Sequence, residues 1–403
     1  MSATLPLVGG KGASLARMAR AGFPVPPGLL ITTEAYRAFI DANALQASIV
    51  ALAKDAKRSS EDASKEIREL FGPASIPPDV LHAIQRAYAE LTQASGDTLP
   101  LAVRSTATAE DLPGASFAGQ HDSFLNVRGE QALLDAVKRC WSSLWTARAL
   151  EYRARKGVEP SAVWMAVVVQ RMVAAEAAGV LFTANPMTGA RDEIVLDASW
   201  GLGEAIVGGS VTPDHIVVNK TTDAIKEIKI GDKAVMTTLS DTGTVESEVD
   251  ENKRRAQVLS APQVTELVTL GRAIENLYGA ATRARAVAEP RARRKMDEGC
   301  ADGGMGKRAA LAAWRDDDLR HDGQRTRTGA HVSAHSQTSQ TVVRSHQRMA
   351  VSARRSQCAV ADRIDGRDIF VFPVQTAERT RARQAPLDEP PPRAGRARAY
   401  RGQ

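Results

Sequence analysis

Cysteine, aromatic side chains and long apolar runs are all scarce in this sequence. Its three cysteines, Cys140, Cys300 and Cys358, are far apart and lack CxxC spacing. That excludes a disulfide framework and suits a reducing compartment. Aromatic residues make up 4% of the chain, and the C-terminal part has almost none, which argues against single-stranded nucleic-acid binding by base stacking. Apolar runs such as Ala166–Val169 fall far short of the roughly 20 residues a membrane-spanning helix needs. No basic-then-apolar segment opens the chain, so no secretory signal is expected. What is present is ordinary: 403 residues, 43% hydrophobic, 25% charged, with 19 prolines. That is enough for two or three domains with a sizeable core. A soluble cytoplasmic protein is the expectation.

The net charge of +6 hides a discontinuity. Residues 281–403 hold 25 Lys and Arg against 14 Asp and Glu, a net of +11, which leaves −5 for residues 1–280. Arginine makes the difference, with 23 of 40 arginines but 2 of 13 lysines in the tail. Apolar periodicity also fades there, apart from Ile369–Val374. Such composition buries too little apolar area to offset chain entropy. An Arg/Ala/Gly/Pro excess is the mark of a GC-rich gene read out of frame. The alternatives are a disordered tail that displaces counterions from phosphates and a degenerate folded domain. The expected organisation is a domain over 1–280, in lobes of about 1–165 and 166–280, followed by a poorly structured basic tail over 281–403.

Within the first 280 residues, helical and strand periods both occur. A glycine loop at Val8–Gly12 precedes a helix over Ala13–Ala21, and residues 34 to about 95 read as largely helical. Strands are expected at 29–33, 101–104 and 123–127, then one helical stretch from Glu130 to Arg155. Strand-rich runs follow at 163–173, 178–183, 193–197, 215–219 and 225–230, and a final amphipathic helix covers Pro262–Leu277. This order gives an α+β fold in two lobes.

Several segments carry chemistry. Gly9-Gly10-Lys11-Gly12 fails as a P-loop, since Gly12 stands where Ser or Thr is required. It is either an ordinary turn or a flexible loop bringing one point charge to an anion. In Leu101-Ala-Val-Arg104-Ser-Thr-Ala-Thr-Ala-Glu110-Asp111-Leu-Pro-Gly114, continuing to Gly119-Gln120, an arginine ends a strand and a glycine-rich loop follows. Backbone N–H groups of such a loop can close over a polyphosphate while Arg104 offers a planar fork. A long surface hairpin is the other reading. Gln170-Arg-Met172 lies at the end of an apolar run, and Gly201-Leu-Gly203-Glu204 puts a carboxylate on a glycine-flanked turn. Alone, the first is a buried strand and the second a helix cap.

Taken together and in order, these segments resemble the N-terminal ATP-binding domain of phosphoenolpyruvate synthase (pyruvate, water dikinase), which also occurs in pyruvate phosphate dikinase and rifampin phosphotransferase. The matching stretches are Val8–Ser14 with Pro24–Gly28, Ala102–Pro113 with Ser116–Gln120, Cys140–Trp145, Val169–Met172, Gly179–Pro186, and Gly201–Glu204 with Pro213-Asp214. The resemblance implies a two-lobed, ATP-grasp-like nucleotide-binding fold using ATP and Mg²⁺. It implies that Lys11 contacts the ATP phosphates and that Arg104 stabilises the transferring phosphoryl group. Gly114–Gly119 would form a phosphate lid near Ser123, Gln170 and Met172 would face the adenine, and Glu204 would join the nucleotide site. In the family, the phosphoryl group goes to a histidine on a separate domain and thence to pyruvate.

The chain departs from the family in three places. Met1 lies seven residues before Val8, shortening the opening strand. After Tyr278-Gly279-Ala280 neither the acidic segment of the Asp-Ile-Glu-Trp type nor the Gln-x-Arg-Pro strand follows; in the family these supply Mg²⁺ ligands and a second phosphate-binding arginine. His331 and His335 lack the flanking pattern of a phosphohistidine, and no pyruvate-binding barrel is recognisable. The expected chain is therefore an incomplete phosphotransferase, working with histidine and pyruvate domains outside it. The alternatives are a non-catalytic nucleotide-binding module and a rifampin-phosphotransferase-like ATP-binding subunit.

Overall fold

Two antiparallel sheets and a helical layer organise the computed structural model, which describes residues 3–93, 99–108, 122–288, 309–314, 360–364 and 367–374. In chain order the first half runs α1 (Leu5–Arg20), β1 (Gly28–Ile31), α2 (Thr33–Ala42), α3 (Leu45–Lys54), α4 (Ser60–Glu69), α5 (Pro78–Thr92), β2 (Leu101–Ala107), β3 (Ser123–Val127), α6 (Glu130–Ser142), α7 (Ala147–Lys156) and β4 (Met165–Arg171). The second half contains β5 (Ala177–Phe182), β6 (Glu193–Trp200), α8 (Glu204–Gly208), β7 (Asp214–Asn219), β8 (Ile225–Lys229), β9 (Val235–Leu239), β10 (Thr244–Glu248), α9 (Glu251–Arg254) and α10 (Ala261–Tyr278). Four strands follow: β11 (Arg283–Ala288), β12 (Ala309–Trp314), β13 (Val360–Ile364) and β14 (Arg367–Val374). The α+β expectation holds. Among the described residues, no helix is long and apolar enough to cross a membrane.

The first sheet has the order β13-β14-β1-β4-β2-β3, the second β12-β11-β5-β6-β7-β8, and β9 and β10 form a separate hairpin. In the first sheet β4 lies between β1 and β2, and residues 165–170 are all buried. Its run of valines is continuous rather than alternating because both faces are covered. β4 thus joins strands on the N-terminal side of the division expected at residue 165. Strand pairing also continues past residue 280, inside the expected basic tail: β11 pairs with β5, and β14 with β1.

Alternation along the first sheet separates two cores. Leu29, Ile31, Leu101, Val103, Val167 and Val169 face the helical layer, where Tyr36, Phe39, Phe71 and Trp141 also pack. The Phe39 and Trp141 rings lie 4.9 Å apart, a contact worth about 0.5–1.5 kcal/mol beyond area burial. Leu30 and Val168 point the other way. They join a second core with Leu15 and Met18 of α1, Leu181, Ile194 and Ile216 of the second sheet, and Val264, Val268 and Ile274 of α10.

Two local expectations are corrected. The glycine loop at Val8–Gly12 is helical on both sides of one break, at Gly9 (φ 63°, ψ 174°). A proline in the first turn costs the helix nothing there, so helix begins at Leu5 rather than Ala13. The single helix from Glu130 to Arg155 is two, interrupted at Ser143–Trp145. Thr146 ends the short 3-10 turn between them by turning extended, and its hydroxyl accepts from the Ala149 N–H to cap the second helix. The β9–β10 hairpin had no counterpart in the sequence reading.

Candidate functional site

Register places the central residues. Arg104 lies opposite Val168, and Gln170 opposite both Ala102 and Gly28. Because Leu30 and Val168 belong to the second core, Arg104 and Gln170 share the face turned away from the helical layer. Thr106, fully buried, lies two residues beyond Arg104 on the same face. Its hydroxyl accepts from the Lys11 backbone N–H at 3.3 Å. A Cβ at Gly9 would lie 2.1 Å from that hydroxyl oxygen. The glycine therefore lets the α1 turn sit directly on β2 and brings Lys11 beside Arg104's strand. Burial, and after it Asp122, pushes the Cys140 thiol of α6 up, against the smaller opposing charges of Arg139 and Lys11.

Burial holds the Arg104 guanidinium below its usual range, and the Glu204 carboxylate opposes that shift. Glu204 opens α8 and is exposed. Gly201 (φ 73°) makes its turn possible, for a Cβ there would meet the Thr237 carbonyl at 2.4 Å. The Leu202 N–H donates to that same carbonyl at 2.8 Å.

Ser123 is exposed on β3, directly across from Arg104. The Gln170 side-chain amide is buried and donates to the Pro26 carbonyl at 3.0 Å. The Met172 N–H donates to the Pro100 carbonyl at 2.9 Å, so what the Met172 backbone still offers a ring edge is its carbonyl. Gly114 and Gly119, the expected phosphate lid, lie outside the described residues. Among the other predicted residues, Lys11, Arg104 and Ser123 gather around β2, Gln170 and Met172 lie at and just past the end of β4, and Glu204 opens α8.

Two contributors were missed. Thr106 stood inside the quoted Arg104 motif, but its role as a docking post for Lys11 depends on a contact across 95 residues. Asn126 is buried in a left-handed conformation (φ 57°). Its N–H donates to the Met172 sulfur, and its side-chain amide donates to the Ser240 and Gly243 carbonyls at the hairpin tip. The turn Ser240-Asp-Thr-Gly243 was a usable hairpin signal.

Mg²⁺ prefers several hard oxygen ligands, with carboxylates foremost. Among the described residues no three His, Cys, Asp or Glu side chains come together for a metal. The described residues thus form no all-protein Mg²⁺ cage, and Mg²⁺ is commonly held by one or two carboxylates together with the phosphates it accompanies. What the arrangement offers is positive charge in a partly dehydrated setting, suited to a polyanion.

Comparison with known proteins agrees with this chemistry. The family described as "pyruvate phosphate dikinase, AMP/ATP-binding domain" matches residues 5–284. The chain is 43% identical over 319 residues to a probable phosphoenolpyruvate synthase of Pyrococcus abyssi, covering 68% of this chain and 39% of the relative. It is 44% identical over 278 residues to a probable phosphoenolpyruvate synthase of Methanothermobacter thermautotrophicus, covering 68% and 40%. With the Pyrococcus furiosus phosphoenolpyruvate synthase it shares 42% over 319 residues, covering 68% and 39%. The chain spans about two fifths of the length of these relatives.

Proposed function

From the premise that the chain belongs to the pyruvate phosphate dikinase AMP/ATP-binding domain family, we propose that it holds ATP in an ATP-grasp-like cleft between its two sheets. In this reading Lys11 and Arg104 meet the phosphates, with Ser123 as a hydroxyl donor beside them. The carbonyl of Met172 and the amide of Gln170 read the adenine, Glu204 orients Arg104, and the Gly114–Gly119 loop covers the phosphates. A divisible unit over residues 1–280, with the remainder as appendage, belongs to the same proposal.

The supporting observation is the position of Arg104. It is half-buried on the face turned away from the helical core, and burial holds its guanidinium below the usual range, with Glu204 opposing the shift. A guanidinium in such a place binds phosphate oxygens through two parallel hydrogen bonds and gains strength from the low local dielectric. Phosphoryl transfer needs positioning and charge neutralisation more than covalent chemistry from the protein. By the names of its relatives, the group travels from ATP towards phosphoenolpyruvate. In this proposal an intermediate histidine and the pyruvate site lie on domains outside this chain.

Calorimetric titration with ATP tests the reading. Arg104→Gln is expected to weaken ATP binding at least tenfold, about 1.4 kcal/mol, while leaving the melting temperature near that of the wild type. Equal dissociation constants for the two proteins would remove the argument. With γ-labelled ATP and a separately supplied phosphohistidine domain of a relative, label is expected on that domain's histidine.

A further inference from the structure

Among the described residues, three that are not glycine hold a positive φ. Ala44 and Asp223 do so in connections, before α3 and between β7 and β8. Asn126 (φ 57°) does so inside a strand. The cause is a bulge. Leu101 pairs with Val127 but Val103 pairs with Phe124, so Leu125 and Asn126 together face Ala102. Ala102 pairs in turn with Gln170. The bulge therefore stands in the same row of the first sheet as Gln170, with one strand between them. Strained backbone persists where its surroundings over-determine it, and bulges beside a site serve to re-aim a side chain.

The backbone N–H of Asn126 and both polar atoms of its side chain are engaged. The N–H donates to the Met172 Sδ at 2.9 Å. The Nδ2 donates to the Ser240 and Gly243 carbonyls at 2.6 and 2.8 Å, and the Oδ1 accepts from the Arg128 Nε at 2.8 Å. Met172 also donates its own N–H to the Pro100 carbonyl. It is thus fixed at two atoms, its amide nitrogen and its sulfur. The hairpin that takes the Asn126 amide meets the other half of the chain through β9, where the Thr237 carbonyl accepts from the Leu202 N–H in the Gly201–Glu204 turn. The β9–β10 hairpin therefore touches that turn along one strand and the holder of Met172 at its tip. Asparagine tolerates the left-handed backbone, donates twice and accepts once. Glycine would meet only the first of these demands.

We propose that Asn126 is a positioning residue for the base of the nucleotide: it holds Met172 by the sulfur and braces it, through the hairpin, against the Gly201–Glu204 turn. The inference rests on the nucleotide reading above. A Met172 carbonyl fixed in direction accepts from the amino group of adenine and repels the oxygen that guanine carries in its place. Asn126 thus sharpens the choice of base without touching the nucleotide. Calorimetric titration of the full chain with ATP, GTP and inorganic tripolyphosphate tests this in the wild type and in Asn126→Gly, which keeps the backbone conformation and loses the side-chain bonds. The variant is expected to bind ATP at least fivefold more weakly, with the constants for GTP and tripolyphosphate changed less than twofold. Met172→Leu keeps the bulk and removes the sulfur acceptor, and the same selective loss is expected of it. Circular dichroism melts establish that the variants fold, and Met172→Leu carries the test alone if Asn126→Gly does not. A loss shared equally by ATP, GTP and tripolyphosphate, as a merely structural role would give, overturns the inference. So do constants that stay unchanged, and in both cases ATP binding by the wild type leaves the nucleotide reading standing. A wild-type chain that binds no ATP defeats both.

Discussion

Gly9 shows how one residue fixes the approach of two distant elements. Its positive φ is costly to residues with a Cβ, and a Cβ at this position would also meet the Thr106 hydroxyl and carbonyl. Gly22 has a comparable φ of 82° but nothing within 4 Å of its Cβ direction. Gly9→Ala is therefore expected to lose about 1–3 kcal/mol more than Gly22→Ala in chemical denaturation. It should also weaken ATP binding, because Lys11 moves with the turn. Equal losses for the two variants would show that the close approach to β2 contributes nothing.

At the scale of elements, the β9–β10 hairpin depends on its attachments. β10 is largely exposed, and the tip is held by the Asn126 amide through the Ser240 and Gly243 carbonyls. The base is held through the buried Asp214. That carboxylate accepts from the Gly231 and Val258 N–H groups at 2.9 and 2.7 Å and pairs with the buried Lys233. Breaking a buried ion pair by removing one partner costs about 3–5 kcal/mol, so the base is the stronger anchor. Asn126→Asp retains tolerance for the left-handed backbone and removes both donors at the tip. We expect hydrogen exchange across 235–248 to quicken at least tenfold in this variant, with global stability falling by about 1–3 kcal/mol. Unchanged exchange would mean that the tip contact does not restrain the hairpin.

Across the whole molecule, the second core binds the halves together. It takes Val8, Leu15, Met18, Leu30 and Val168 from the first half and Leu181, Ile194, Ile216 and α10 residues from the second. Arg17 reinforces the junction by donating to the Leu277 carbonyl at 2.6 Å and stacking over the Tyr278 ring, whose hydroxyl donates to the Ser14 carbonyl. Shared burial couples their unfolding. Calorimetry without ligand is expected to give one transition for residues of both sheets, and two well-separated transitions would contradict a common core.

Much of the local structure was legible in the chain: the valine run of β4, the β-rich runs of β5 to β7 between turn residues, and the amphipathic stripe of α10. So was the residue chemistry of the site, since an arginine beside hydroxyls and a glycine loop retains its character in any arrangement. Composition also marked residue 280 as a change in the chain. Tertiary structure decided what touches what. Only long-range packing put Lys11 on Thr106, hung the hairpin on Asn126, and paired β11 with β5. Period and propensity act over a few residues, whereas these contacts join positions separated by about 95 to 117 residues, and their geometry exists only once both cores have closed.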